Sequence, residues 1–234
     1  TAISASTYNI TVTGAAGWAN ASTDATGFDA GTGTVLFTGT AAQTISGATS
    51  TTFNNLTINN TSATGVTASQ PITVLGTGVL TLTDGYLYTD AANLITMNAG
   101  SSVSGVSNAS FVYGPMAKVG STDFTFPIGK DVQYRPLAIS SLSGSETFTA
   151  TYFHSDPNLV PYDVTSKDAS LNHVGRCEYW TLTEAGTQDA WVTLSWDSYS
   201  CGVDDIAAVS VGRWDGAVWR DHGTGTTTGA VSPA

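Results

Sequence analysis

The chain has 234 residues, of which 41% are hydrophobic and only 11% charged, and its formal net charge is -11. That length suits one large β domain or two smaller ones. Seven basic residues against 18 acidic ones exclude a general nucleic-acid-binding role, because phosphate contacts need Lys and Arg. No basic helix for a membrane surface and no apolar run of spanning length is visible, so direct membrane insertion is not expected.

The start at Thr1, without Met or a signal-peptide pattern, reads as a processed protein or an excised fragment of a larger exported polypeptide. Residues 1 to about 110 carry four acidic residues, Asp24, Asp29, Asp84 and Asp90, and no basic ones. The other 14 acidic residues, all seven basic ones and five of six Trp lie beyond. This shift predicts two domains, 1–110 and 111–234, meeting near "NASFVYGPMAKVG" without a flexible linker.

The first domain reads as short strands. "TVLFTG" (34–39) sets Val35 and Phe37 on one face at period two. "QTISG" (43–47), "NNLTINN" (54–60, with Leu56 and Ile58) and "ITVLG" (72–76, with Ile72 and Val74) follow. "VLTLTDG" (79–85) sets Leu80 and Leu82 opposite Thr81 and Thr83, and Asp84-Gly85 marks a turn. "GYLYT" (85–89), "NLITMNAG" (93–100) and "SSVSGVS" (101–107) continue the series. The steps from Val35 to Leu56 and from Leu56 to Leu80 are unequal, and they fit a solenoid of twenty-odd residues per coil. The expectation is a short right-handed parallel β-helix with Asn59, Asn60, Asn93 and Asn98 at corners, where Asn tolerates left-handed dihedrals. An antiparallel sandwich of the same strands is the competing arrangement.

The second domain has another texture. "STDFTFPIGK" (121–130), "YRPLAISSL" (134–142) and "ETFTATYFHSDP" (146–157) are strands broken by Pro and Gly. After a freer stretch at 158–175 come "CEYWTLTEAG" (177–186), "AWVTLSWDSYS" (190–200), "IAAVSVGRWDG" (206–216) and "AVWRDHGTG" (217–225). Asp215-Gly216 between aromatic-rich strands is a hairpin signal. These strands predict an antiparallel β-sandwich capping the solenoid, its core drawn from Trp180, Trp191 or Trp196, and Trp214.

"GTGTVLFTGTAAQTISGATSTTFNNLTINNTS" resembles the strand-repeat segments of large surface proteins exported by gliding and environmental Bacteroidota. "FVYGPMAKVGSTDFTFPIGK", "YRPLAIS", "FTATYFHSDP" and "LNHVGRCEYWTL" resemble the module that follows those repeats. The likeness spans about Gly31 to about Thr228. It implies an extracellular or outer-surface location, export by the type IX secretion system, neighbouring domains of a larger polypeptide as partners, and a non-catalytic structural or adhesive role. It supplies no catalytic residues.

The residues themselves offer little chemistry. Catalysis in the first domain lacks Lys, Arg and His, and the one close carboxylate pair in residues 54–110 is Asp84 and Asp90, with Asp84 explained by its turn. In the second, His154, Asp156 and His173 lie near no nucleophile elbow, and His154, His173 and His222 are too scattered for zinc. A calcium ion is a candidate cofactor, held by Asp156, Asp163 and Asp168 or by Asp204 and Asp205, against the plainer reading of solvated turn carboxylates. Trp196, Tyr199, Trp214 and Trp219 lie near strand ends as candidate ligand-stacking residues, which makes a carbohydrate-binding module acting on surface glycans or polysaccharide the alternative function. Between Trp214 and Trp219, either one is buried and the other exposed. Cys177 and Cys201 are expected to form a disulfide joining neighbouring strands.

Overall fold

The computed structural model describes residues 3–24, 27–203 and 205–225. They are all-β, with two single-turn 3-10 segments. Two compact units divide the chain, one of Thr1–Thr151 with Thr181–Thr193 and one of Tyr152–Trp180 with Leu194–Ala234.

The first unit is a parallel β-solenoid. Its first coil is β1 (Ile3–Ser4), β2 (Ile10–Val12) and β3 (Trp18–Asn20). The second is β4 (Phe28–Asp29), β5 (Thr34–Phe37) and β6 (Gln43–Gly47). The third is β7 (Thr51–Phe53), β8 (Asn55–Asn59) and β9 (Val66–Ala68). The fourth is β10 (Ile72–Val74), β11 (Val79–Asp84) and β12 (Leu87–Tyr88). The fifth is β13 (Ile95–Met97), β14 (Ser102–Ser104) and β15 (Val112–Tyr113). Successive coils stack strand on strand in three sheets, ordered β2-β5-β8-β11-β14, β3-β6-β9-β12-β15 and β7-β10-β13.

Register explains the uneven spacing of the apolar pairs. In the third sheet Ile72 pairs with Ile95 and Ile95 with Met116, the first step slightly longer than the second. In the second sheet the step from Trp18 to Ile45 is longer than that from Val66 to Leu87. In the third sheet β7, β10 and β13 keep one length and register while the corners absorb the difference; between β8 and β11 the register shifts at Leu82 and Asp84. The alternation read from the sequence points as expected: Val35, Phe37, Leu56, Ile58, Ile72, Val74, Leu80 and Leu82 are all buried. Each such side chain contributes roughly 1.5–3 kcal/mol of burial.

Corners depart from expectation. Asn59, Asn60, Asn93 and Asn98 do not take left-handed dihedrals; among described non-glycine residues only Ser6, Asp131 and Ser141 have positive φ. Glycine takes that conformation instead. Gly85 has φ 76°, and a Cβ there would lie 2.0 Å from the Asn60 carbonyl of the coil before. Asparagine works through its amide. Buried Asn60 donates to Ala41 O at 2.9 Å and Gln43 Oε1 at 2.8 Å and accepts from Ser62 N at 2.9 Å. That satisfies a polar corner that would otherwise cost stability.

Parallel pairing extends past the composition shift near residue 110. β16 (Met116–Gly120) pairs parallel with β13, while β17 (Phe124–Phe126) leaves for another sheet and β18 (Ile128–Lys130) pairs parallel with β15. The step from Val112 to Ile128 is shorter than the earlier ones and its middle strand lies outside the first sheet, so this turn is not a full coil of the solenoid. Antiparallel strands then close the ladders: β19 (Gln133–Tyr134) on β18, and β21 (Glu146–Phe153) on β16 after β20 (Leu137–Ser140). β22 (Tyr179–Glu184) follows β21 in the third sheet, and β23 (Trp191–Leu194) joins β17 and β20 in a three-stranded sheet.

Lys118 stands in the inward row Phe53, Val74, Met97, Lys118, which passes on to buried Phe148 of β21, and is 2% exposed. Its ammonium donates to Asn98 O at 2.7 Å, Ser101 O at 3.2 Å and Ser101 Oγ at 3.3 Å, and lies 4.9 Å from the centre of the Phe124 ring. The stem fills the row and the charge meets the Asn98 and Ser101 carbonyls of the corner between β13 and β14. Burial lowers its pKa from the usual lysine value.

In the second unit β24 (Gly212–Trp214) and β25 (Trp219–Asp221) form the hairpin expected at Asp215-Gly216, with Trp214 opposite Trp219. The segment at 206–208, read as strand from the sequence, is a 3-10 turn capped by Asp205, whose side chain accepts from Ala207 N.

Candidate functional site

Four residues were singled out for stacking, and the structure spreads them. Trp214 and Trp219 pack together at 5.8 Å and with Tyr162 at 6.1 and 6.3 Å. Tyr179 extends this cluster, 5.6 Å from Tyr162 and nearly parallel to Phe153 at 4.6 Å. Trp219 is buried and Trp214 half-buried, so this pair serves the core of its unit. Trp196 is half-buried, while Tyr199 is 64% exposed on the turn that Asp197 and Ser200 build. Trp191, a candidate core residue by sequence, is instead 74% exposed, because alternation along β23 turns Trp191 and Thr193 outward.

The aspartates proposed for calcium are engaged by turns and ion pairs. Asp156 accepts from Asn158 N at 2.9 Å and pairs with Arg176 at 2.7 Å. Asp163 accepts from Thr165 N and Oγ1 at 2.9 and 2.7 Å. Asp168 takes Arg220 at 3.0 Å and Asp221 N at 3.1 Å, and Arg220 also reaches Asp215 at 2.7 Å. Asp204 lies outside the described residues. The contacts of Asp156, Asp163 and Asp215 favour the ionised form. The Arg176 hydrogen bond foremost lowers the Asp156 pKa, and Thr165 that of Asp163. Backbone donation from Val218, then Arg220, takes Asp215 down to about 2. Among the described residues no group of three or more His, Cys, Asp or Glu is placed to hold a metal ion.

Cys177 and Cys201 are disulfide-bonded, with Cα atoms 5.7 Å apart. The bond joins a segment just before β22 to the loop after Ser200, rather than two neighbouring strands. Glu178 beside it accepts from Tyr152 Oη at 2.7 Å and from Ser200 Oγ. His154 is exposed, 6.5 Å from the Tyr152 ring and nearly parallel to it.

Another aromatic cluster lies on the solenoid. Tyr86 and Tyr88 flank inward Leu87, and Phe111 and Tyr113 flank inward Val112, so four rings share the outer side of the second sheet. Tyr86 meets Phe111 at 4.4 Å, and Tyr88 meets Tyr113 at 4.8 Å with 34° between planes. Phe111 is buried although it points away from the solenoid core. Its ring lies over Gly129, where a Cβ would come within 2.8 Å of it. Tyr86 donates to Asn108 O at 3.1 Å and Tyr113 to Asp131 Oδ1 at 3.3 Å, while the Tyr88 hydroxyl has no partner among the described residues. Burial first, then neighbouring phenols, raises the pKa of Tyr86 and Tyr88; burial raises that of Tyr113 and Tyr134. The period-two pairs in "GYLYT" and "FVYGP" carried this signal. It is interpretable only once register sets the two pairs side by side.

No helix of the described residues is long and apolar enough to cross a membrane. Comparison with family models, with curated proteins and with solved structures finds no match to the chain.

Proposed function

We propose that this chain is a non-catalytic structural and adhesive segment of a large secreted or cell-surface protein of the Bacteroidota type, exported by the type IX secretion system and working beside further domains of the same polypeptide. The observation that carries the reading is the solenoid surface. Its outward rows are neutral hydroxyl side chains, such as Thr52, Thr73 and Thr96 on one sheet and Thr57, Thr81 and Ser104 on another. A face of that kind keeps a charge-poor coil hydrated and offers no acid, base or nucleophile. In the second unit the described aspartates named above hold turns and arginines. Sequence resemblance adds the location and the export route.

The test is turnover. The full chain is incubated with soluble and insoluble polysaccharides, and reducing ends are measured. Release of product that His154→Ala or Asp156→Ala abolishes would overturn the non-catalytic reading. Surface labelling of intact cells with antibody against the chain tests the location, and labelling confined to lysed cells would refute it.

The exposed rings of Tyr199 and Trp191 favour a second reading, a carbohydrate-binding module. Polysaccharide retention lost in Tyr199→Ala or Trp191→Ala, with unfolding midpoints unchanged, would establish it.

A further inference from the structure

The second sheet carries an outward row in register: Thr44, Thr67, Tyr88, Tyr113. Adjacent rungs are one strand spacing apart, about 4.8 Å. Tyr113 covers one face of the Tyr88 ring. The next rungs on the other side, Thr67 and Thr44, are too short to cover the opposite face, so the row drops there from tyrosine to threonine as a step. Its riser is the open face of half-exposed Tyr88, and its floor is the Thr67 and Thr44 hydroxyls. The Tyr88 hydroxyl at the rim has no partner among the described residues.

We propose that this step binds one ring of an uncharged glycan, its C–H face against Tyr88 and its hydroxyls on Thr67, Thr44 and the Tyr88 phenol. The charge around it selects the occupant. Residues 1–110 contain no Lys, Arg or His, Asp84 and Asp131 border the neighbouring tyrosines, and the nearest basic residue of this sheet, Lys130, lies on β18 two strands beyond Tyr88, so the Tyr88 and threonine rungs themselves give an acidic sugar or a phosphate no counter-ion. A cation would be drawn to the ring face, but the threonine floor gives it no carboxylate. A pyranose uses both surfaces, because it combines an apolar face with a rim of hydroxyls. The inference rests on the reading of the chain as a surface segment, which brings glycans within its reach.

Affinity electrophoresis of the full 234-residue chain through gels containing a soluble β-glucan, a xylan or a galactomannan tests it, with polygalacturonate as the acidic control. At least one neutral polysaccharide should retard the chain and polygalacturonate should not. Tyr88→Ala should weaken retardation about tenfold, the scale of one lost ring contact. Thr67→Tyr, which extends the tyrosine row and covers the open face, should abolish it. Tyr8→Ala, which removes an exposed ring elsewhere, should leave it unchanged; Tyr88→Ala also loses its packing on Tyr113, so retardation is compared under conditions where the urea midpoint shows each variant fully folded. Retardation by no neutral polysaccharide overturns the proposal. So does retardation that ignores Tyr88 and Thr67, Tyr88-dependent binding of oligolysine, or Tyr88-dependent dimerisation in sedimentation. Loss of retardation without turnover leaves the non-catalytic reading in place, whereas glycan cleavage would defeat that reading instead.

Discussion

Replacing Lys118 by methionine isolates the contribution of a charge buried at the end of the solenoid. Methionine keeps the unbranched stem in the row under Met97 and removes only the ammonium. Asn98 O stays satisfied, because Ser101 N and Ser101 Oγ also donate to it at 3.0 and 2.6 Å. Ser101 O loses its ammonium donor, and an orphaned buried acceptor costs about 1–3 kcal/mol. The Phe124 contact, about 0.5–2 kcal/mol, is lost too. Release from burying a cation offsets part of both. The net expectation is a loss of about 1–3 kcal/mol in urea unfolding, rising to about 3–5 kcal/mol for Lys118→Ala, which also empties the space of the stem. Titration gives a second reading. The folded chain holds the Lys118 proton less tightly than the unfolded chain does, so the stability this adds is present above the ordinary lysine pKa and lost as pH falls through the folded value. Tyrosines with raised pKa act the opposite way nearby, but they are common to both proteins and cancel in the difference. The stability of wild type relative to Lys118→Met should therefore climb as pH rises toward about 10.4. A methionine variant as stable as wild type at neutral pH, or a flat difference across alkaline pH, would refute the account of Lys118 as the plug of the last coil.

Opening the Cys177–Cys201 bond, by reduction or by Cys177→Ala with Cys201→Ala, should destabilise the second unit by roughly 3 kcal/mol, from a closed loop of 24 residues. Tryptophan fluorescence should shift to lower denaturant while far-UV signal from the solenoid persists; coincident, unshifted transitions would contradict this. On acidification, Asp156, Asp163, Asp215 and Asp221 each hold a lowered pKa, so the stability they add is present above about pH 3.9 and lost as pH falls toward about 2. The second unit should unfold first over that interval, and fluorescence constant from pH 4 to pH 2 would disprove it.

Much of the solenoid was legible because a residue buried on one face and wet on the other must alternate. Leu56 and Ile58, or Leu80 and Leu82, declare their face without help from distant residues. What the sequence could not show is which coil each strand leans on. Val103, Ser102 and Ser104 look like any weak strand until β14 is laid on β11. Lys118 carries no local sign that its row is inward or that the Asn98 and Ser101 carbonyls receive its ammonium. Corner chemistry was half right: Asn60, Asn93 and Asn98 lie between strands while Asn59 belongs to β8, Asn60 and Asn93 act through their amides, and glycines bear the backbone conformation. The candidate site misled for a related reason. Trp214 and Trp219 are conspicuous as residue types, yet they face one another across a hairpin. Tyr88 and Tyr113 lie a full coil apart in the chain and become neighbours only through register.

The stacking of coils also fixes how such a chain trades reach for rigidity. A coil of about 23 residues, fully extended, would span roughly 75 Å. Wound into the solenoid, it advances the axis by one strand spacing, about 4.8 Å. Backbone hydrogen bonds run along the axis, so the length is held by ladders in three sheets rather than by one covalent thread. Inserting or deleting a whole coil would change the height in steps of that size and leave every inward row intact. Solenoid length thereby becomes a quantity that gene length can adjust in small, structurally silent increments.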